Sequence, residues 1–472
     1  MRALLLPLLL SAGLACAQSH DLPELGDASA ATMSPAQERA LGLGIMRQIR
    51  GSPGYLDDAD ITDYLGQLGY RLVAVSPDSR QEFSFFVLQD SAINAFALPG
   101  GFIGVHSALL LSAQSESELA AVLAHEVAHV TQRHIARMIS AQQRQGLASL
   151  AAVAIAILAA RSNSQAAAGA IAATQAQALS ERLAFTRDNE READRVGVQI
   201  LERAGFDAHA MPVFLDRLQR ATRVLENGAP TYMRTHPVTY ERIADVQNRT
   251  FDLPFRQVPD SLDFHMVRAR LRSMQKDPRQ AVQLFDELLA EGKFSSEVAT
   301  RFGLQESLLR VKNLGRAAEE LARLKALGVS HPMLASVEAR TLAALGRRGE
   351  ALQTYARAAA DFPARRGLIY EYAALLIDSG RAAQANALLD ARMQTDPDDG
   401  RLYELQARAY GALGNVMMKH RSLAEAYLSA GSLSLAIDQL QLALKNGSGD
   451  FHDSSAVEAR LRELRALSVK RQ

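Results

Sequence analysis

Apolar and polar positions along this chain follow two periods, one helical and one extended. From Met33 to Ile49 and from Ile61 to Ala74 apolar residues return every three or four positions, which predicts two amphipathic helices. Ser34-Pro35 strengthens the first, since Ser is a good N-cap and Pro suits the first helical position. Phe83 to Leu88 and Ile93 to Ala97 read as short strands, and Pro99-Gly100-Gly101 turns the chain into a third, Phe102 to His106. Helical spacing then resumes. Glu118 to Gln132 holds no Gly or Pro and is built from strong helix formers, and Asp188 to Gly197 is another helical stretch.

From about residue 258 onward, Ala and Leu recur at helical spacing between turns. Gly346, Gly380 and Gly414 fall 34 residues apart, Pro363 and Pro397 follow the same period, and Leu314-Gly315 repeats the Leu-Gly pair. A helix–turn–helix unit of about 34 residues is the tetratricopeptide repeat, which stacks into a solenoid with a concave face suited to peptides or protein partners. About four units are recognisable, and up to six with degenerate ends. No Trp occurs, so recognition there falls to Tyr, Phe and polar side chains.

Chemistry enters at His125-Glu126-Val127-Ala128-His129, an H-E-x-x-H pattern on a predicted helix. Residues four apart on a helix lie about 40° around its axis, so both imidazoles leave one face, one turn apart. That suits two nitrogens on one tetrahedral zinc ion. Glu126 is turned about 100° from His125, which makes it a poor ligand and a good general base for the attacking water. A catalytic site of this kind needs a third protein ligand. Glu190 and Asp194 are spaced i, i+4 on the next helix, so Glu190 is the expected ligand and Asp194 the expected partner of a ligand His N–H. Glu192, about 160° from Asp194, should face elsewhere.

His134 lies five residues beyond His129 with no Gly between them to break the helix. It should therefore point about 140° away and serve as a surface or supporting residue. In Thr235-His236-Pro237 the following Pro biases His236 to extended backbone, and Arg242 falls at the start of a helix. Either residue suits stabilisation of the oxyanion formed on a peptide carbonyl. His236 has an alternative: as a fourth protein ligand in a closed state it would hold the enzyme off.

Together, H-E-V-A-H, N-E-R-E-A-D-R-V-G and T-H-P-x-x-x-x-R resemble the gluzincin metalloproteases that include the CAAX prenyl proteases and the mitochondrial Oma-type protease. With Asn94 to Gly101 and the C-terminal repeats, the likeness extends to the bacterial branch that attends to outer-membrane β-barrel proteins. It covers essentially the whole mature chain. The resemblance implies that His125, His129 and Glu190 bind one Zn²⁺, that Glu126 is the base, and that Asp194 supports the site. It also implies that Asn94, Ala95 and Phe96 open an edge strand that holds substrate backbone by β-augmentation. Unfolded or stalled β-barrel proteins would be the substrates, and the barrel-assembly machinery the partner of the repeats.

Composition narrows this further. Basic and acidic residues number 52 each, which speaks against nucleic acid as a partner. Met1-Arg2, an apolar run and Ala15-Cys16-Ala17 read as a secretory signal cleaved after Ala17. Gly13 stands where lipidation of Cys16 would want Leu, and Cys16 is the only cysteine, so the mature protein needs no disulfide. Residues 145–178 are Ala-rich and almost uncharged. They read as a helical hairpin or lid, or as a peripheral membrane or substrate contact through 146–178.

The resulting expectation is mainly α: a signal at 1–17, a zincin-type α+β metalloprotease domain with a small sheet at 18–257, and an all-α tetratricopeptide-repeat solenoid at 258–472. The expected activity is that of a periplasmic zinc endopeptidase for misfolded or stalled β-barrel proteins. The alternative is a periplasmic chaperone or assembly adaptor whose protease site is normally closed.

Overall fold

The computed structural model describes residues 33–143, 186–222, 231–274, 277–446 and 451–470. The expected leader with Cys16 and Ala17, and the Ala-rich stretch 145–178, lie outside the described residues. Two amphipathic helices open the described chain, α1 (Pro35–Arg50) and α2 (Ala59–Val73). Ser34 caps α1 in a full capping box with Gln37, and Asp58 caps α2. Three strands follow, β1 (Ser84–Leu88), β2 (Ala95–Leu98) and β3 (Phe102–His106), in the sheet order β1-β3-β2. β3 runs parallel to β1 and antiparallel to β2, which leaves β2 on an outer edge. The β2–β3 turn needs two left-handed residues in succession. Gly100 and Gly101 supply φ of +76° and +81°, and a Cβ on Gly101 would stand 2.0 Å from the Glu82 carbonyl oxygen.

The sheet leads through α3 (Ser107–Ser112) into α4 (Glu116–Thr131), which is buried along nearly its whole length. A helix that is apolar all round can only be a core helix. Its polar first turn is compensated: Arg217 donates to both Glu118 oxygens at 2.6 Å, and Tyr64 and Ser261 donate to Glu116. After α5 (His134–Gln143) come α6 (Arg187–Arg203), α7 (Ala210–Thr222), α8 (Thr231–Thr235) and α9 (Tyr240–Thr250). α6 packs directly on α4, and a Cβ on Gly197 would lie only 3.2 Å from the His125 nitrogen, so a small residue sets their close approach.

Helix stops at Thr250 and resumes at Leu262, from where twelve helices are described as far as Lys470. The apolar cluster of the sheet and α4 continues into Phe264, Phe285, Phe302 and Val337 of the first helix pairs. The solenoid also bends back on the first two helices. Arg366 pairs with Asp63 of α2, Gly367 lies against Asp60, and Gly431 packs on the Arg47 side chain of α1. Part of the repeat surface is therefore covered by the chain's own N-terminal helices.

The repeat signature reads well except at one position. Gly346, Gly380 and Gly414 sit in the turn inside each unit with φ of 80°, 75° and 75°. Leu314-Gly315, expected to belong with them, instead begins a helix. The equivalent turn position is Lys312, held at φ 58°. A left-handed conformation costs an L-residue about 1–2 kcal/mol. Lys312→Gly is therefore expected to stabilise the protein by about 1 kcal/mol, less the entropy glycine adds to the unfolded chain. Equilibrium unfolding in urea checks this, and a lowered midpoint would contradict it.

Candidate metal centre

The site is assembled where α4, α6 and the end of α8 meet. Ser115 caps α4 by accepting from the Glu118 N–H, which starts the helix in the phase that carries His125 and His129 onto one face. Thr186 caps α6 in the same way and so sets the phase of Glu190 and Asp194. His125, His129, Glu190 and His236 are all buried and place one donor atom each within 4.8 Å of the others. His125 Nε2 lies 3.0 Å from His129 Nε2, 3.3 Å from His236 Nδ1 and 3.5 Å from a Glu190 oxygen. Glu190 Oε1 stands 3.3 Å from His129 Nε2 and 3.0 Å from His236 Nδ1.

Imidazole nitrogens and one carboxylate are the donor set zinc takes in hydrolytic sites, so these residues fit that ion. Asp194 behaves as its spacing suggests. It accepts from His125 Nδ1 at 2.9 Å and so leaves Nε2 as the metal-facing nitrogen.

Electrostatics concentrate here. Burial alone lowers the His125 pKa, but the Asp194 and Glu190 carboxylates reverse this and raise it to about 10. Burial raises Glu190, yet the His236, His125 and His129 rings hold it well below the usual carboxylate range. The two buried carboxylates share one buried cation, Arg242, so a second positive charge is still called for, which a proton on His125 or a divalent cation supplies. Glu126 differs. It is fully buried, it makes no close side-chain hydrogen bond, and its polar neighbours include His236 Nε2 at 3.4 Å and the Ala97 backbone of β2. Burial raises its pKa above the ordinary value against the pull of His236 and His125. A carboxylate with free lone pairs and raised basicity is what proton abstraction needs.

Two expectations change. Arg242, read as an oxyanion donor, is instead committed to carboxylates. It donates to Asp194 from Nε and Nη2 at 2.8 and 2.9 Å, meets Glu190 at 2.6 Å, and reaches the Pro237 carbonyl. Its guanidinium is buried and its hydrogen bonds are taken up by these two carboxylates and the Pro237 carbonyl.

His134 also departs from its expected direction. α4 ends at Thr131, Arg133 adopts φ 51°, and α5 restarts at His134. No glycine marks the break, because Arg133 is pinned there by Glu38 and by the Met33 carbonyl. The imidazole consequently returns beneath His129, fully buried, with the two Nδ1 atoms 2.8 Å apart. Glu192, expected to face elsewhere, lies 3.2 Å from His134 Nε2. Burial lowers the His134 pKa to about 4, so this ring is neutral near pH 7.

Tyr232 was invisible in the sequence. Its ring is buried and stacks on His236 at 4.7 Å between centroids, with planes 24° apart. His236 itself closes a helical turn by donating its N–H to the Tyr232 carbonyl, rather than extending from a free loop. The only available signal was the four-residue spacing, which carries no chemistry of its own. Ala95 and Phe96 open β2, an edge of the described sheet that packs on α4, and Asn94 immediately precedes it. Asn94 is buried, and neither its amide oxygen nor its amide nitrogen has a partner. His106 ends β3 with Nδ1 on the Ala92 carbonyl, outside the metal set.

Comparison with known proteins agrees with this geometry. Residues 62–250 match peptidase family M48, and residues 342–409 match a tetratricopeptide repeat family. The chain is 33% identical over 460 residues to the beta-barrel assembly-enhancing protease of Escherichia coli (strain K12), covering 97% of this chain and 94% of that one. It is 42% identical over 251 residues to a putative protein of that name from Vibrio cholerae, covering 53% and 52% of the two chains. Over 187 residues it is 31% identical to the mitochondrial metalloendopeptidase OMA1 of Schizosaccharomyces pombe, covering 39% and 52%.

Proposed function

This chain belongs to the beta-barrel assembly-enhancing protease family and is a metallopeptidase with tetratricopeptide repeats, and we propose that it is a periplasmic zinc endopeptidase for misfolded or stalled outer-membrane β-barrel proteins. The observation that carries the reading is the convergence of His125, His129 and Glu190 beside a fully buried Glu126 and an edge strand of the described sheet. A zinc ion in that set supplies Lewis acidity toward the scissile carbonyl and lowers the pKa of water. Glu126 takes the proton of the attacking water and returns it to the leaving amine nitrogen. Asp194 and Arg242 hold the ligands in register from behind.

Substrate choice follows from β2. An edge strand offers unpaired backbone groups, and an unfolded β-strand is the ligand that satisfies them. Asn94 adds a buried donor and acceptor at one end of that edge. The repeats would carry contacts to the barrel-assembly machinery, through surface not already covered by α1 and α2. A second reading, an assembly adaptor with a normally closed site, is favoured by the position of His236 inside the ligand set. Zinc analysis of the purified protein, paired with cleavage of an unfolded outer-membrane barrel and of an unfolded helical protein, tests the main reading. The expected result is one zinc per chain and cleavage that favours the barrel protein. No zinc, or equal cleavage of both, would refute it.

A further inference from the structure

Three donors and acceptors behind His129 form a series that no catalytic role yet uses. Its outer end is Glu192, partly exposed on α6 and fixed by Arg137 Nη2 at 2.6 Å. A carboxylate only accepts hydrogen bonds, so the His134 Nε2 atom, 3.2 Å away, must be its donor. The 2.8 Å contact between the two Nδ1 atoms needs one shared proton, and a His129 that ligates through Nε2 must supply it from Nδ1, which makes His134 Nδ1 the acceptor. The atom facing it at 2.8 Å is His129 Nδ1, which is therefore the protonated nitrogen of that ring. His129 Nε2 is left with its lone pair, and that is the nitrogen turned toward His125 Nε2 and Glu190.

We infer that His134 and Glu192 are positioning residues that fix the metal-binding tautomer and ring orientation of His129. The inference rests on the metallopeptidase reading and extends it from the ligands to the helix break that supports them. Asp194 does this for His125 with one carboxylate in direct contact. For His129 the carboxylate acts through an intervening imidazole, and the break at Arg133 places that imidazole. Glu38 and the Met33 carbonyl, which hold Arg133 in its left-handed conformation, thereby tie α1 to the metal ligand. The series also ends at the surface, because Glu192 is exposed enough to be changed without opening the core: its side chain retains 26% of its accessible area.

The test is zinc affinity and the rate of zinc transfer to a chelator, for wild type, His134→Phe, Glu192→Ala and Glu192→Gln. Outer partners of a ligating His are worth about 10–100-fold in metal affinity. His134→Phe keeps the ring volume and is expected to weaken zinc binding by about that factor. Glu192→Ala is expected to fall in the same direction by several-fold, whereas Glu192→Gln retains an acceptor oxygen and should restore most of the loss. Nitrogen-15 spectra of the zinc-free protein should show His129 protonated only at Nδ1 in wild type and as a tautomer mixture in Glu192→Ala. A merely structural role would not move that signal. Should His134→Phe fail to fold, the Glu192 pair carries the test alone. Wild-type zinc affinity in Glu192→Ala, with an unchanged His129 tautomer, would overturn the inference. A wild-type protein that binds no zinc would overturn the metal reading on which it stands.

Discussion

Glu126→Gln is expected to bind zinc as wild type does and to cleave nothing measurable. The substitution keeps shape and volume inside a fully buried position, so the ligands on the same helix should not move. What it removes is the lone pair that accepts a proton. No close side-chain hydrogen bond engages either Glu126 oxygen, and burial raises its basicity, which favours a role in proton transfer. General acid–base catalysis contributes about 10²–10⁴-fold, and Glu126 acts both in attack and in departure of the amine. A fall in kcat of at least about 10³-fold with KM little changed is the expected result, measured on an unfolded barrel substrate. The same variant separates the two functional readings. If support of barrel assembly survives while proteolysis is lost, the repeats act as an adaptor in their own right. If both disappear together, an independent adaptor role is excluded. Loss of zinc in this variant would mean that Glu126 holds the metal, against the geometry.

The parts of the site that could be read from the sequence are those fixed by helical phase. His125 and His129, and Glu190 and Asp194, are i, i+4 pairs inside uninterrupted helices, and nothing in the tertiary structure alters where such pairs point. β2 and β3 were legible for a similar reason, since Pro99-Gly100-Gly101 admits little besides a tight turn. The errors came where a distant residue decides local backbone. Arg133 breaks the helix because Glu38, about 95 residues earlier, and the Met33 carbonyl compensate its strain. Without that contact a continuous helix and an outward His134 were the reasonable expectation. Lys312 is the same case in the repeats: a turn conformation persists where its usual glycine is missing, so Leu314-Gly315 was mistaken for the signature. Arg242 was misread because a buried cation's partners depend on packing between helices, and its two carboxylates, Asp194 and Glu190, stand 48 and 52 residues away in the chain.

His236→Ala is expected to raise basal peptidase activity. In the structure the His236 ring does not stand across the cleft from the ligands, where an oxyanion donor would have to be. It stands among them, with Nδ1 3.0 Å from Glu190 and 3.3 Å from His125, and with Nε2 3.4 Å from Glu126. That places it between the base and the ligand set, in the space the attacking water and the scissile carbonyl must share. A fourth protein ligand leaves a zinc site closed. The closed arrangement is also braced, because Tyr232 stacks on the ring and its own N–H donates to the Ile93 carbonyl beside β2. Opening therefore requires moving a packed aromatic pair as well as a ligand, and a substrate strand arriving at β2 is placed to disturb that contact. Removing the ring should raise turnover of a small unfolded peptide about 10-fold, equivalent to about 1.4 kcal/mol of closure. The gain should vanish when Glu126→Gln is added, which shows that it arises from the same site. An oxyanion donor would behave in the opposite way, with a loss of about 10²–10³-fold on removal. Unchanged turnover would strip His236 of both roles and leave it as packing for Tyr232.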